Sequence, residues 1–178
     1  MSGVPASGKT TVMRKVVKEL GKGKICKTGT LVYQRHDNTK TIVLGSYAKA
    51  GFGGTDILSM GVQPTAVAMI NAWASEENMD GWRILFEGDR LFNGSFIAEL
   101  EKIKNLDCKW MMLEASDKAQ EERHKKRGDT QSETWLKGRI TKANKLKESI
   151  NGITVLRNEN EEDIENNVDW ILKAVDLR

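Results

Sequence analysis

The sequence predicts an α/β domain of three layers, with helices on both faces of a mostly parallel sheet. Three observations predict it. Short apolar runs alternate with segments whose apolar residues recur at helical spacing. A glycine-framed turn, Gly3-Val4-Pro5-Ala6-Ser7-Gly8-Lys9-Thr10, opens directly into the first of those helices. An apolar run, Trp82-Arg83-Ile84-Leu85-Phe86, ends in Glu87, which puts acid at the C-terminal end of a strand, where such sheets bind ligands. The 178 residues suffice for one domain with its own core, and residues 1–178 are read as that single domain.

The turn has the spacing of a phosphate-binding loop. Gly3 and Gly8 let the backbone curl with its N–H groups inward, and the following helix adds its N-terminal partial charge. Gly3, Pro5, Ala6, Ser7, Gly8, Lys9, Thr10 and Thr11 are the expected nucleotide contacts. Lys9 would reach the β- and γ-phosphates and the Thr10 hydroxyl would hold Mg²⁺, so ATP and Mg²⁺ are the expected cofactors. Val12, Met13, Val16, Val17 and Leu20 continue at helical spacing until Gly21 and Gly23 end the helix. The strand that should feed the loop is missing, because the loop begins at residue 3. A missing strand leaves its neighbours ~10 Å apart. A few apolar, β-branched residues upstream are expected to belong there.

Thr30 to Arg35 and Thr41 to Tyr47 read as two strands, and Asp37-Asn38-Thr39 as the turn of a β-hairpin insertion near the acceptor side. Three glycines then surround Phe52 and lead to Asp56, a loop where backbone must approach something closely. Phe52 is a candidate to stack on a base, or a core anchor. Asp56 is the leading candidate for a general base, with bracing of the turn as its alternative role. Thr65 to Glu77 is a helix. At the end of the next strand Glu87 is the metal-side carboxylate, and Asp89 is the reserve base. Ser95 to Lys104 is a helix, Lys109 to Ala115 a strand, and Asp117 caps a helix through Lys126.

Residues 118–147 hold ten Lys or Arg against four Asp or Glu, an excess of six positive charges in a chain whose net charge is +3. Gly128 breaks the first of two helices, and Thr130-Gln131-Ser132-Glu133 opens the second with a capping box. Leu136, Ile140, Ala143, Leu146 and Ile150 form its apolar stripe, with Arg139 and Lys142 off it. These helices read as a lid whose Arg123, Arg127 and Arg139 would address the transferring phosphoryl oxygens and exclude water on closure. The alternative is a solvated basic face. Ile153 to Leu156 is the last strand, Asn158 is placed beside the adenine, and Glu161 to Val175 is the final helix.

Cys26 and Cys108 are read as reduced, buried thiols of a cytoplasmic protein, and zinc is not expected at His36 or His124. No run is apolar enough to suggest a membrane span, and no obligate protein partner is evident.

Phosphate loop, carboxylate-ended strand, arginine-bearing lid and Asn-containing final loop together resemble the small P-loop kinases. That likeness implies the P-loop NTPase fold and transfer of the γ-phosphate of ATP to a hydroxyl or phosphate of a nucleoside, nucleotide or polynucleotide. Gly53-Gly54-Thr55-Asp56-Ile57-Leu58-Ser59-Met60, Gln63-Pro64 and Glu87-Gly88-Asp89-Arg90-Leu91 are similar to the phage 5-hydroxymethyluracil DNA kinases. This narrower resemblance implies DNA as acceptor substrate, Asp56 and Asp89 at the acceptor, Phe52 and the lid near DNA, and a host-cytoplasmic setting. A free nucleoside or nucleotide kinase, or a nucleotide-binding regulatory module without transfer, are the alternatives.

Overall fold

The computed structural model describes residues 1–47, 53–128 and 132–178, the side chain of Arg127 excepted. The strands are β1 (Ser2–Gly3), β2 (Lys24–Thr28), β3 (Leu31–His36), β4 (Thr41–Leu44), β5 (Arg83–Leu85), β6 (Met111–Glu114) and β7 (Thr154–Arg157). The α-helices are α1 (Lys9–Glu19), α2 (Gln63–Ser75), α3 (Gly94–Leu100), α4 (Asp117–Arg127), α5 (Glu133–Ser149) and α6 (Glu161–Ala174).

Hydrogen bonding divides the strands into two sheets, ordered β1-β6-β7 and β2-β3-β4-β5. In the first, all pairings are parallel, with Gly3 opposite Leu113 and Leu113 opposite Leu156. In the second, β4 runs parallel to β5, with Val43 opposite Leu85. The division falls where the first strand is short. That strand is present as a two-residue stub, which corrects its expected absence. Met1 bridges the division: its amino group donates to Phe86 O at 2.8 Å, and Gly88 N donates to Met1 O at 3.2 Å. Beneath this bridge a cavity of about 70 Å³, lined by Met1, Ile84, Leu85, Trp110 and Met111 among others, separates β5 from β6.

Strand alternation builds the three layers. Ile42, Leu44 and Met112 face one core with Ala66, Ile70 and Trp73 of α2, Phe96 of α3, and Ala143 and Leu146 of α5. Val43, Leu85, Met111 and Leu113 face the other core with Val12, Met13 and Val16 of α1 and Val168 and Ile171 of α6. Sheets covered on both faces are apolar at successive positions, which is why β4 and β6 read as continuous apolar runs. Phe86 is the hub of an aromatic cluster, 5.5 Å from Phe96 and 6.2 Å from Trp110 between ring centres, in edge-on contacts.

Several expectations are corrected. The hairpin is part of the main sheet and not an insertion beside it, because β4 pairs with β5 directly. β2 was not expected; it pairs antiparallel to β3 and makes the hairpin a three-stranded meander. β4 ends at Leu44, three residues before Tyr47, because Gly45 turns the chain at φ 89°. Ser116, not Asp117, caps α4, accepting from Ala119 N at 3.3 Å. Ser132 caps α5, accepting from Trp135 N at 3.3 Å; Thr130 and Gln131 lie outside the described residues. Cys26 and Cys108 are free thiols, half-buried and not fully so. No described helix is long and apolar enough to cross a membrane.

Candidate active site

The turn from β1 into α1 is held from three directions. Lys9 Nζ donates to Gly3 O at 2.9 Å and Val4 O at 3.1 Å, so its ammonium lies within the loop. Asn158, fully buried after β7, donates from Nδ2 to Ser7 O at 2.5 Å and accepts from Asn167 Nδ2 at 3.1 Å. Arg123 of α4 donates to Ala6 O at 3.0 Å, Asn158 O at 2.8 Å and Glu159 O at 3.0 Å. These contacts refine the role of the glycines. A Cβ at Gly3 would stand 2.5 Å from Leu113 O and 2.6 Å from Ser7 Oγ, and one at Gly8 would strike the Asn158 amide. Protein packing, before any ligand, already forbids a side chain at both places. Ala6 takes a left-handed φ of 59°, an uncommon conformation for a residue with a Cβ, and closes the curl.

Beside the loop stands Glu87, 2% exposed. Its Oε1 accepts from Thr10 Oγ1 at 3.2 Å and from the Tyr47 hydroxyl at 3.3 Å. Burial lifts its carboxyl above the ordinary value, the Lys9 ammonium pulling against that rise and the Asp56 charge adding to it. The Thr55 hydroxyl donates to Glu87 O at 2.5 Å, which ties the Gly53–Asp56 segment to the strand end. Asp56 is exposed and lies at the same edge: a Cβ on Gly88 would be 3.6 Å from its Oδ1. Phe52 lies outside the described residues.

On the lid side, Arg139 Nη1 pairs with Asp89 Oδ2 at 2.9 Å, and its guanidinium rests 4.9 Å from the centre of the Trp135 ring. Asp89 is therefore engaged with α5. The structure brings Lys9, Thr10, Glu87 and Asp56 together around one loop and Asp89 together with Arg139. The described hydrogen bonds of Arg123 go to backbone carbonyls, so in this state it braces the loop. The Arg127 side chain is outside the description.

Sequence reasoning missed Tyr47, Thr55, Arg14 and Asn167. Arg14 had a signal, since four residues after Thr10 it shares that helix face, and its Nη2 lies 3.5 Å from where a Cβ on Gly53 would stand. Tyr47 read as a strand residue and Asn167 as a polar position of the last helix; nothing local marked either.

The residues fit a nucleotide triphosphate and Mg²⁺. Helix α1 begins at Gly8 without a side-chain cap, and the fully buried Ser7 Oγ has no hydrogen-bond partner. Both features suit phosphate oxygens. Among the described residues, no group of three or more His, Cys, Asp or Glu could hold a metal alone. One hydroxyl and one carboxylate, Thr10 and Glu87, suit an ion whose remaining positions go to phosphate and water.

A family model described as P-loop Nucleotide Kinase3 matches residues 1–165. No curated protein and no solved structure matches the chain.

Proposed function

The chain belongs to the P-loop nucleotide kinase family, and from that premise we propose that it moves the γ-phosphoryl group of ATP to a hydroxyl acceptor, the 5-hydroxymethyl group of 5-hydroxymethyluracil in DNA. The observation that carries the transfer reading is the convergence of Lys9, Thr10 and Glu87 beside the exposed Asp56 carboxylate. The acceptor reading is supported by the Gly53–Met60 and Glu87–Leu91 motifs and by the basic segment 118–147.

In this reading the acceptor oxygen forms a bond to the γ-phosphorus as the bond to the β,γ-bridging oxygen breaks, ADP leaves, and the hydroxyl proton passes to Asp56. Lys9 and the loop N–H groups hold the phosphates in line, and the lid arginines neutralise charge on closure. Mg²⁺, held by Thr10 and Glu87, would offset phosphate charge. Asp89 orients the acceptor once its pairing with Arg139 opens.

The test is labelled-phosphate transfer from ATP to duplex DNA carrying 5-hydroxymethyluracil, against free nucleosides and nucleotides. Label on the duplex supports the proposal. Label only on free nucleosides or nucleotides removes the DNA acceptor and leaves the kinase. ATP binding without any labelled product makes the chain a nucleotide-binding regulatory module.

A further inference from the structure

The Tyr47 ring is packed among apolar side chains of the α1 and α6 core, 8% exposed, as an ordinary core tyrosine would be. Its hydroxyl is placed less ordinarily. It donates to Oε1 of Glu87, the same oxygen that accepts from Thr10. That oxygen has lone pairs for both hydroxyls, so Tyr47 can hold it whether or not Thr10 does. Thr10 is the hydroxyl with a second task, because it lies at the phosphate loop and would turn to the cation.

The backbone around Tyr47 is shaped to allow this contact. Ser46 and Gly54 exchange two backbone hydrogen bonds, Ser46 N to Gly54 O at 3.2 Å and Gly54 N to Ser46 O at 2.7 Å, which fix Gly54 beside Ser46 and hence near Tyr47. Gly54 lies directly over the Tyr47–Glu87 pair. A Cβ there would stand 2.5 Å from Glu87 Oε1 and 2.7 Å from the Tyr47 hydroxyl, and its φ of 67° with ψ −138° is open only to glycine. At Gly45, φ 89°, a Cβ would strike Gly54 O. The chain then runs through Thr55, anchored on Glu87 O, to Asp56.

We propose that Tyr47 is a positioning residue: its hydroxyl holds the Glu87 carboxylate in place when Thr10 turns to Mg²⁺, and so ties the metal side of the site to the Gly54–Asp56 segment. The inference rests on the ATP- and Mg²⁺-dependent reading of the site and is independent of the acceptor's identity.

The test is the Mg²⁺ dependence of ATP binding, by calorimetry, in wild type and in Tyr47→Phe, which keeps the ring and removes the hydroxyl. The affinity gained on adding Mg²⁺ should fall ~10-fold in the variant, the scale of a hydrogen bond to a charged group, while affinity without Mg²⁺ is unchanged. In a Glu87→Ala background, Tyr47→Phe should change the Mg²⁺ dependence no further, because it acts through that carboxylate. An equal Mg²⁺ gain in wild type and Tyr47→Phe overturns the inference and leaves the kinase reading standing. A wild type with no Mg²⁺ gain overturns both. A readout that does not depend on the variant folding uses the fact that the chain has two tyrosines, Tyr33 and Tyr47. In 3-fluorotyrosine-labelled protein the Tyr47 resonance, assigned with Tyr33→Phe, should shift when Mg²⁺ is added to the ATP-loaded protein; an unmoved resonance overturns the inference.

Discussion

On the phosphate-loop side of the site, Ser7 and Asn158 are fully buried and Glu87 is 2% exposed. On the lid side, the side chains of Arg139 and Asp89 are 34% and 29% exposed, and Trp135 is 39% exposed. The first region is tied to α6 through Asn167, to the α1–α6 core through Tyr47, and to the 53–56 segment through Thr55. In the second, α5 is anchored in the core by Ala143 and Leu146, but Arg139 itself meets Asp89 and Trp135 in an ion pair and a cation–aromatic contact near solvent. A buried polar network that is nearly complete is rigid and strongly resists loss of a member. A solvent-exposed pair contributes ~0–1 kcal/mol and is readily exchanged for another partner. The difference separates a preorganised phosphate cradle from an exposed Arg139–Asp89 contact that is exchanged at little cost.

The largest effect should come from the cradle. Lys9→Ala should lower transfer by ~10³-fold, measured by initial rates at saturating ATP, with a melting temperature close to wild type. Retained transfer would break the assignment of the loop. Asn158→Ala should lower stability by ~1–3 kcal/mol in urea titrations and weaken ATP binding, since it leaves Ser7 O and Asn167 without their buried partner. A surface-like loss of less than ~0.5 kcal/mol would erase the contrast between the two regions. The division between β5 and β6 adds a third test. A short apolar, β-branched segment placed ahead of Met1 should enter it and raise the melting temperature by at least ~5 °C with tighter ATP binding, as burying a few such side chains would. No gain in either would sink the idea of a strand-shaped slot.

Protonation gives a smaller, signed prediction. Burial drives the Met1 amino group from its ordinary 8.0 to about 5, and also lowers His36 from its ordinary 6.5. The unfolded chain therefore binds more protons than the folded one through this range, and these groups make stability rise from about pH 5 to pH 8 and level off above. Glu87, raised above its ordinary 4.5, acts oppositely, losing its contribution as pH climbs through its folded value. Melting curves of the 178-residue chain with and without N-terminal acetylation isolate the Met1 part; equal slopes would refute it. The smallest effect belongs to the lid. Arg139→Ala should shift stability by less than ~1 kcal/mol and, under the proposed DNA acceptor, should reduce the salt dependence of DNA binding by about one phosphate contact. A stability loss comparable to Asn158→Ala would show that the lid is as firmly built as the cradle.

Much of this was legible in the chain. The Gly3–Thr10 spacing, the acid at the end of an apolar strand, and the 3.6-residue stripes of α1 and α6 are local patterns whose physical cause lies within a few residues. The hairpin was legible too, through its turn residues. Its place in the sheet was not, because pairing of β4 with β5 joins segments about forty residues apart. β2, reading Lys-Ile-Cys-Lys-Thr, carries too little apolar alternation to announce an edge strand and forms because β3 offers it a ladder.

The sequence by itself determined a phosphate cradle followed by a helix, a carboxylate to face it, and a basic helical segment in the second half of the chain. Only the tertiary structure decided which side chains serve that cradle. Tyr47 reaches Glu87 across 40 residues and Asn167 reaches the cradle through Asn158, and no local pattern encodes either meeting. It also decided that the glycines at 3, 8 and 54 are demanded by neighbouring protein atoms, because the space a Cβ would need is taken only once the chain has folded upon itself.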